Sequence, residues 1–139
     1  VLYLEDKVYS NRSLYSIKIK KGNYLPKYVL GCLNSKACQY YYSTKFKSDT
    51  DLFPKIRIKQ VRMLPIPKAS ISLQNIVVNK VDEILDLLAI DIDTNILSIE
   101  QQIDFLVYHL YGLTYDEVLI VDPETPISRE EYESYNIEQ

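Results

Sequence analysis

Pro65-Ile66-Pro67 restricts this chain more than any other feature of its sequence. Each proline lacks a backbone donor and pushes the residue before it out of the helical region, so no helix or central strand can run through the segment. The two sides of this stop differ sharply in charge. Residues 1–68 hold 14 Lys+Arg against 4 Asp+Glu, residues 69–139 hold 2 against 15, and the net charge of −3 conceals both surpluses. A basic half joined to an acidic half suggests two different tasks, and the basic half is the one suited to an anionic partner.

The basic half reads as a small mixed sheet with one helix. Residues 1–20 are rich in Val, Ile, Tyr and Leu and alternate in Ser16-Ile17-Lys18-Ile19-Lys20, which predicts two or three strands. Lys21-Gly22-Asn23 follows as a turn. Pro26 suits the first turn of a helix whose apolar stripe, Leu30, Leu33, Ala37 and Tyr40 or Tyr41, carries it to about residue 44. After a polar loop, Lys55-Ile56-Arg57-Ile58-Lys59 alternates like a strand with a basic outer face, and Gln60 to Leu64 suits a helical turn.

The acidic half reads as helices. Leu73, Val77, Val81, Ile84 and Leu88 step by three and four, as do Ile96, Ile99, Ile103, Leu106 and Leu110. A short turn at Asp91-Ile92-Asp93 predicts a long antiparallel hairpin, which Gly112 would end as a left-handed cap. Thr114 to Glu117 and Ser128 to Glu131 fit the capping box and predict two short helices. The fold class expected is therefore α+β: a basic lobe at 1–68, a helical hairpin at 69–122 and an acidic tail at 123–139.

Enzymatic constellations are scarce. The chain has three glycines and one histidine, without a phosphate-binding loop, GxSxG or HExxH. Asp49 and Asp51 stand in a polar loop without the strand-held carboxylate that a metal-dependent nuclease needs. His109 lies near a helix C-terminus, where a positive imidazole is favourable without any catalytic role. Cys32 and Cys38 fall on different helix faces and suggest neither disulfide nor metal site. No run of about 18 apolar residues predicts a membrane span, no leader is read, and a cytoplasmic location is the default. The opening Val1-Leu2-Tyr3, without methionine, suggests a piece of a longer protein.

The remaining signal is positive charge interleaved with tyrosine. Lys18, Lys20 and Lys21, then Lys45 and Lys47, then Lys55, Arg57, Lys59 and Arg62 cluster around strand and loop positions, and Lys36 on the helix is expected on the same DNA-facing side. A phosphate backbone would relieve their repulsion and release counterions. Tyr42, beside Tyr40 and Tyr41, is the aromatic candidate for the same surface, and Arg57, Gln60 and Arg62 are the side chains suited to base edges.

Three stretches in order, Tyr28 to Tyr42, Phe53 to Pro67 and Ile103 to Asp122, resemble the C-terminal specificity region of TaqI-like type IIG restriction-modification enzymes. The resemblance runs from about residue 8 to 122. It rests on Leu33, Asn34, Ser35 and Lys36 with Tyr41 and Tyr42, on Phe53 and Lys55 with Leu64 to Pro67, and on Ile103, Asp104, Leu106, Val107, Tyr108 and Leu110 to Thr114. It implies a target-recognition domain for duplex DNA, with helices that set its distance from the catalytic domain of a parent chain. That parent would be an adenine-N6 DNA methyltransferase with endonuclease activity, using S-adenosylmethionine and Mg. The Asn-Pro-Pro-Tyr motif, the cofactor-binding glycine loop and a complete nuclease motif are missing here, as are N-terminal strands. No catalysis or cofactor of its own is expected. The alternative is an assembly module whose hairpin joins subunits, as a homodimer, or docks the catalytic domain, with the basic face incidental.

Overall fold

The computed structural model describes residues 1, 4, 16–20, 22–46 and 56–138. Among these residues every regular element is a helix. In chain order they are α1 (Pro26–Asn34), α2 (Lys36–Phe46), α3 (Ile58–Arg62), α4 (Ile71–Ile90), α5 (Leu97–Leu110), α6 (Tyr115–Val121) and α7 (Arg129–Ser134).

This overturns the α+β class expected from the sequence. Of the strand expected at Lys55 to Lys59, Lys55 lies outside the described residues and residues 56–59 are the extended entry and first turn of α3, where Ile56 and Ile58 remain 54% and 48% exposed. A five-residue alternation is too short to separate strand from helix, and a strand persists only with a partner to take its backbone groups. Residues 16–20 are likewise outside any strand; Ile19 packs on the core while Ile17 stays exposed. The other expected strand residues, at 2–3 and 5–15, lie outside the described residues, as do Lys21 and the loop at 47–55.

The single helix expected from Pro26 to about residue 44 is two helices. Ser35 adopts an extended conformation between them, donating from Oγ to the Cys32 carbonyl (2.6 Å) and accepting there from the Cys38 N–H (3.3 Å). A serine that satisfies backbone groups on both sides competes with helix continuation. One side chain thus closes α1 and opens α2.

The seams of α4 and α5 are where the periodicity puts them. Val77, Val81, Ile99, Ile103 and Leu106 are buried, and the two helices pack on one another across the link at 91–96. The seam of α4 also takes α1. A Cβ on Gly31 would stand 2.8 Å from Val77 Cγ1, 3.3 Å from Val81 Cγ2 and 3.7 Å from Ile103 Cγ2, so the missing side chain lets α1 seat against both helices. The core cluster accordingly joins Tyr28 to Cys32 from the basic half with Val77, Val107 and Tyr108 from the acidic half.

Polar groups weld the same junction. Gln74, wholly buried in α4, accepts from the Leu25 N–H (2.8 Å) and donates to the carbonyls of Asn23 and Ala69. The Pro-Ile-Pro stop is held from both sides, since the Tyr28 hydroxyl donates to the Pro67 carbonyl (2.9 Å) and the Tyr111 hydroxyl to that of Pro65. Gly112, at φ +69°, turns the chain after α5; the capping box expected at Thr114 forms in full with Glu117, and of the one expected at Ser128 the hydroxyl half forms, accepting from the Glu131 N–H. The C-terminal segment is fastened too. Ile127 and Tyr132 are buried, the Tyr132 hydroxyl donates to the Leu113 carbonyl (2.7 Å), and the Tyr115 hydroxyl to that of Ile127 (2.7 Å).

Candidate nucleic-acid interface

Helix α2 carries the three consecutive tyrosines, and about 100° of rotation per residue sends them in three directions. Tyr40 is exposed. The Tyr41 hydroxyl accepts from Lys45 Nζ (2.9 Å), one turn later, and the ammonium also lies 5.3 Å from the Tyr41 ring centroid. The Tyr42 hydroxyl donates to Gln60 Oε1 (3.0 Å), tying α2 to α3. None of the three is fully buried.

Helix α3 begins with half of a capping box. Gln60 Oε1 accepts from the backbone N–H of Arg57 (3.2 Å), the position before the helix, while an arginine side chain has no acceptor with which to reciprocate. Arg57, Lys59 and Arg62 are exposed and make no ion pair among the described residues. Lys59 and Arg62, three apart, are neighbours on the helix surface. Lys18 and Lys20 are exposed as well.

Lys36 is placed differently. Its ammonium meets Asp122 (2.9 Å) and its backbone N–H donates to Asp104 (2.8 Å) at the start of α2. Asp122, only 8% exposed at its side chain, also accepts from the Tyr108 hydroxyl (3.3 Å). Burial pushes the Asp104 carboxyl up to about 6, against the opposing pull of the Lys36 N–H and ammonium. Lys36 therefore ties the basic half to the acidic one. Lys27 on α1 does the same with Asp82 on α4. Of the remaining sequence candidates, Lys21, Lys47 and Lys55 lie outside the described residues, as do Asp49 and Asp51.

Groups with catalytic potential are engaged elsewhere. His109 stacks on Tyr132 (4.1 Å between centroids), and burial lowers its pKa. Cys32 and Cys38 are free and buried, their thiols pushed up by burial to about 12 and about 11, which makes them poor nucleophiles. A groove of about 270 Å³ between α2 and α6 is lined by Tyr40, Tyr41, Tyr111 and apolar side chains. Its one carboxylate, Glu117, caps α6 by accepting from the Thr114 N–H (2.8 Å). Among the described residues no three His, Cys, Asp or Glu side chains stand together as a metal site, and the sequence has no glycine loop for S-adenosylmethionine.

Two constellations escaped the sequence reading. Arg57-x-x-Gln60 has the spacing at which a glutamine accepts from the residue before a helix, so that half of the Gln60 environment was readable. Nothing local points to Tyr42 as its second partner, nor to Asp122 as the partner of Lys36.

Residues 1–66 match the family model of the TaqI-like C-terminal specificity domain. Over these residues the basic half of this chain is similar to such a specificity domain. The match ends inside the Pro-Ile-Pro stop and covers just under half of the chain, whereas the resemblance read from the motifs extends to residue 122. No curated protein and no solved structure matches the chain. A TaqI-like specificity domain belongs to DNA target recognition in restriction-modification enzymes, and it is a specificity domain rather than a catalytic one. Among the described residues no helix is long and apolar enough to cross a membrane.

Proposed function

We propose that this chain recognises a duplex DNA sequence as the specificity part of a type IIG restriction-modification enzyme, and that methylation and cleavage belong to other domains of a parent protein. That parent is an adenine-N6 methyltransferase with endonuclease activity, working in the cytoplasm, and S-adenosylmethionine and Mg bind within its catalytic domains. Residues 1–68 form the DNA-facing lobe. The helices at 69–122 hold it at a set distance from the catalytic domain, and 123–139 close the helical end. The observation that carries this reading is the specificity-domain match coinciding with the cationic half of the chain, where Arg57, Lys59 and Arg62 are exposed without an ion-pair partner among the described residues.

Lysines on phosphate set the register, and Arg57, Gln60 and Arg62 read base edges in the major groove. The test is the affinity of the chain for mixed-sequence duplex DNA across a salt series. A log-log slope of several units is expected from counterion release, and the absence of binding even at low salt would reject the reading.

A second reading, the assembly module, is favoured by Ile90, Ile92 and Leu97, which are 87%, 75% and 54% exposed around the link between α4 and α5. It predicts concentration-dependent dimerisation, or docking of the catalytic domain, that Ile92→Asp abolishes.

A further inference from the structure

The Gln60 amide is fixed by two donors. The Arg57 backbone N–H can only donate, so the atom it meets at 3.2 Å is the amide oxygen, and this settles which way the amide points. The Tyr42 hydroxyl donates to the same oxygen at 3.0 Å. A carbonyl oxygen offers two lone pairs, and both are taken. Nε2 has no hydrogen-bond partner among the described residues, and the side chain is half-buried rather than closed off from solvent. Gln60 thus presents donors without an acceptor.

This changes the base that it suits. A free glutamine pairs with adenine by accepting from N6 and donating to N7, whereas guanine offers two adjacent acceptors, N7 and O6. We infer that Gln60 is a specificity-determining residue that reads guanine rather than adenine in the major groove, with Tyr42 as the positioning residue that occupies its acceptor. The inference rests on the target-recognition reading above. Lys59, exposed one residue before Gln60, brings phosphate-attracting charge to the same short segment.

The experiment uses the full chain and a pool of DNA duplexes with a randomised window, sequencing the bound fraction for the wild type, Gln60→Ala, Gln60→Glu and Tyr42→Phe. Binding of a mixed-sequence duplex across a salt series is measured in parallel. One guanine position is expected to lose about tenfold of its preference in Gln60→Ala while the other positions keep theirs. Gln60→Glu keeps both accepted hydrogen bonds, hence the start of α3, and moves that position toward cytosine, whose N4 donates to a carboxylate. Tyr42→Phe returns a lone pair to Oε1 and raises adenine relative to guanine at that position alone, a shift that mere loosening of α2 would not produce. Adenine in the wild type at the position sensitive to Gln60→Ala overturns the inference. So do base preferences that are absent or that ignore all three substitutions while salt-dependent binding persists. If the wild type shows no salt-dependent binding, the recognition reading fails and the inference falls with it.

Discussion

Lys27 and Lys36 on α1 and α2 contrast with Arg57, Lys59 and Arg62 around α3, although all five belong to the same cationic half. The first two reach carboxylates of the acidic half, Asp82 and Asp122, while the other three face solvent without an ion pair among the described residues. The difference follows from what each helix packs on. α1 lies against α4 and α2 against α5 and α6, elements rich in acidic residues, whereas α3 reaches α2 through the uncharged pair Tyr42 and Gln60. Opposite charge therefore serves two purposes in one chain: part of it joins the halves, and the remainder is left for an external anion. A charge count of the basic half overstates the surface available to phosphate by the cations used internally.

The sharpest way to break this contrast is at the shared core. Gly31→Val places methyl groups where Val77 already stands, and a stiff β-branched side chain in a filled seam is expected to cost about 3 kcal/mol, read by chemical denaturation. A loss below about 0.5 kcal/mol would mean that α1 is not held against α4 and α5 and that the halves are more independent than described.

Lys36→Met tests the inner set directly. It leaves Asp122 buried without its cation and is expected to destabilise the fold by about 2 kcal/mol, with the salt slope of DNA binding unchanged. A reduced slope without loss of stability would move Lys36 to the phosphate-facing group.

Asp104 provides a pH test of the same junction. Burial raises its folded pKa to about 6, above the ordinary carboxyl range, so the folded state holds the proton more tightly than the unfolded chain. Its contribution to stability is full below about pH 4 and is lost as the pH rises to about 6. Asp104→Asn can still accept from the Lys36 N–H. It should remove that slope and be about 1 kcal/mol more stable than expected from the lost ion interactions alone at pH 7, measured by denaturation at several pH values.

The smallest stability effect belongs to the outer set. Lys59→Ala should change stability by less than about 0.5 kcal/mol, yet lower the salt slope of DNA binding by about one and weaken all sequences alike. Arg57→Ala should instead cost about 1–3 kcal/mol at one base pair if its guanidinium reads a base edge.

What could be read locally was read well. The steps of three and four in α4 and α5, the caps at Thr114 and Ser128 and the glycine turn after α5 depend on residues within a turn or two of one another, and the structure keeps them. Residues 56–59, the described part of the strand expected at Lys55 to Lys59, enter a helix instead, because alternation over so few residues is decided by whether a partner strand exists. The helix break at Ser35 was missed because one serine hydroxyl overruled an uninterrupted apolar stripe.

The sequence by itself determined the helical seams, their ends and the division of charge, since these are properties of neighbouring residues and of composition. Tertiary structure alone decided which cations stay outside. Lys27 finds Asp82 at a separation of 55 residues, and Tyr42 finds Gln60 at 18, in each case only after the helices that carry them have packed. Pairing of charges and orientation of an amide depend on distance in space, which falls off steeply beyond direct contact and has no trace in local periodicity.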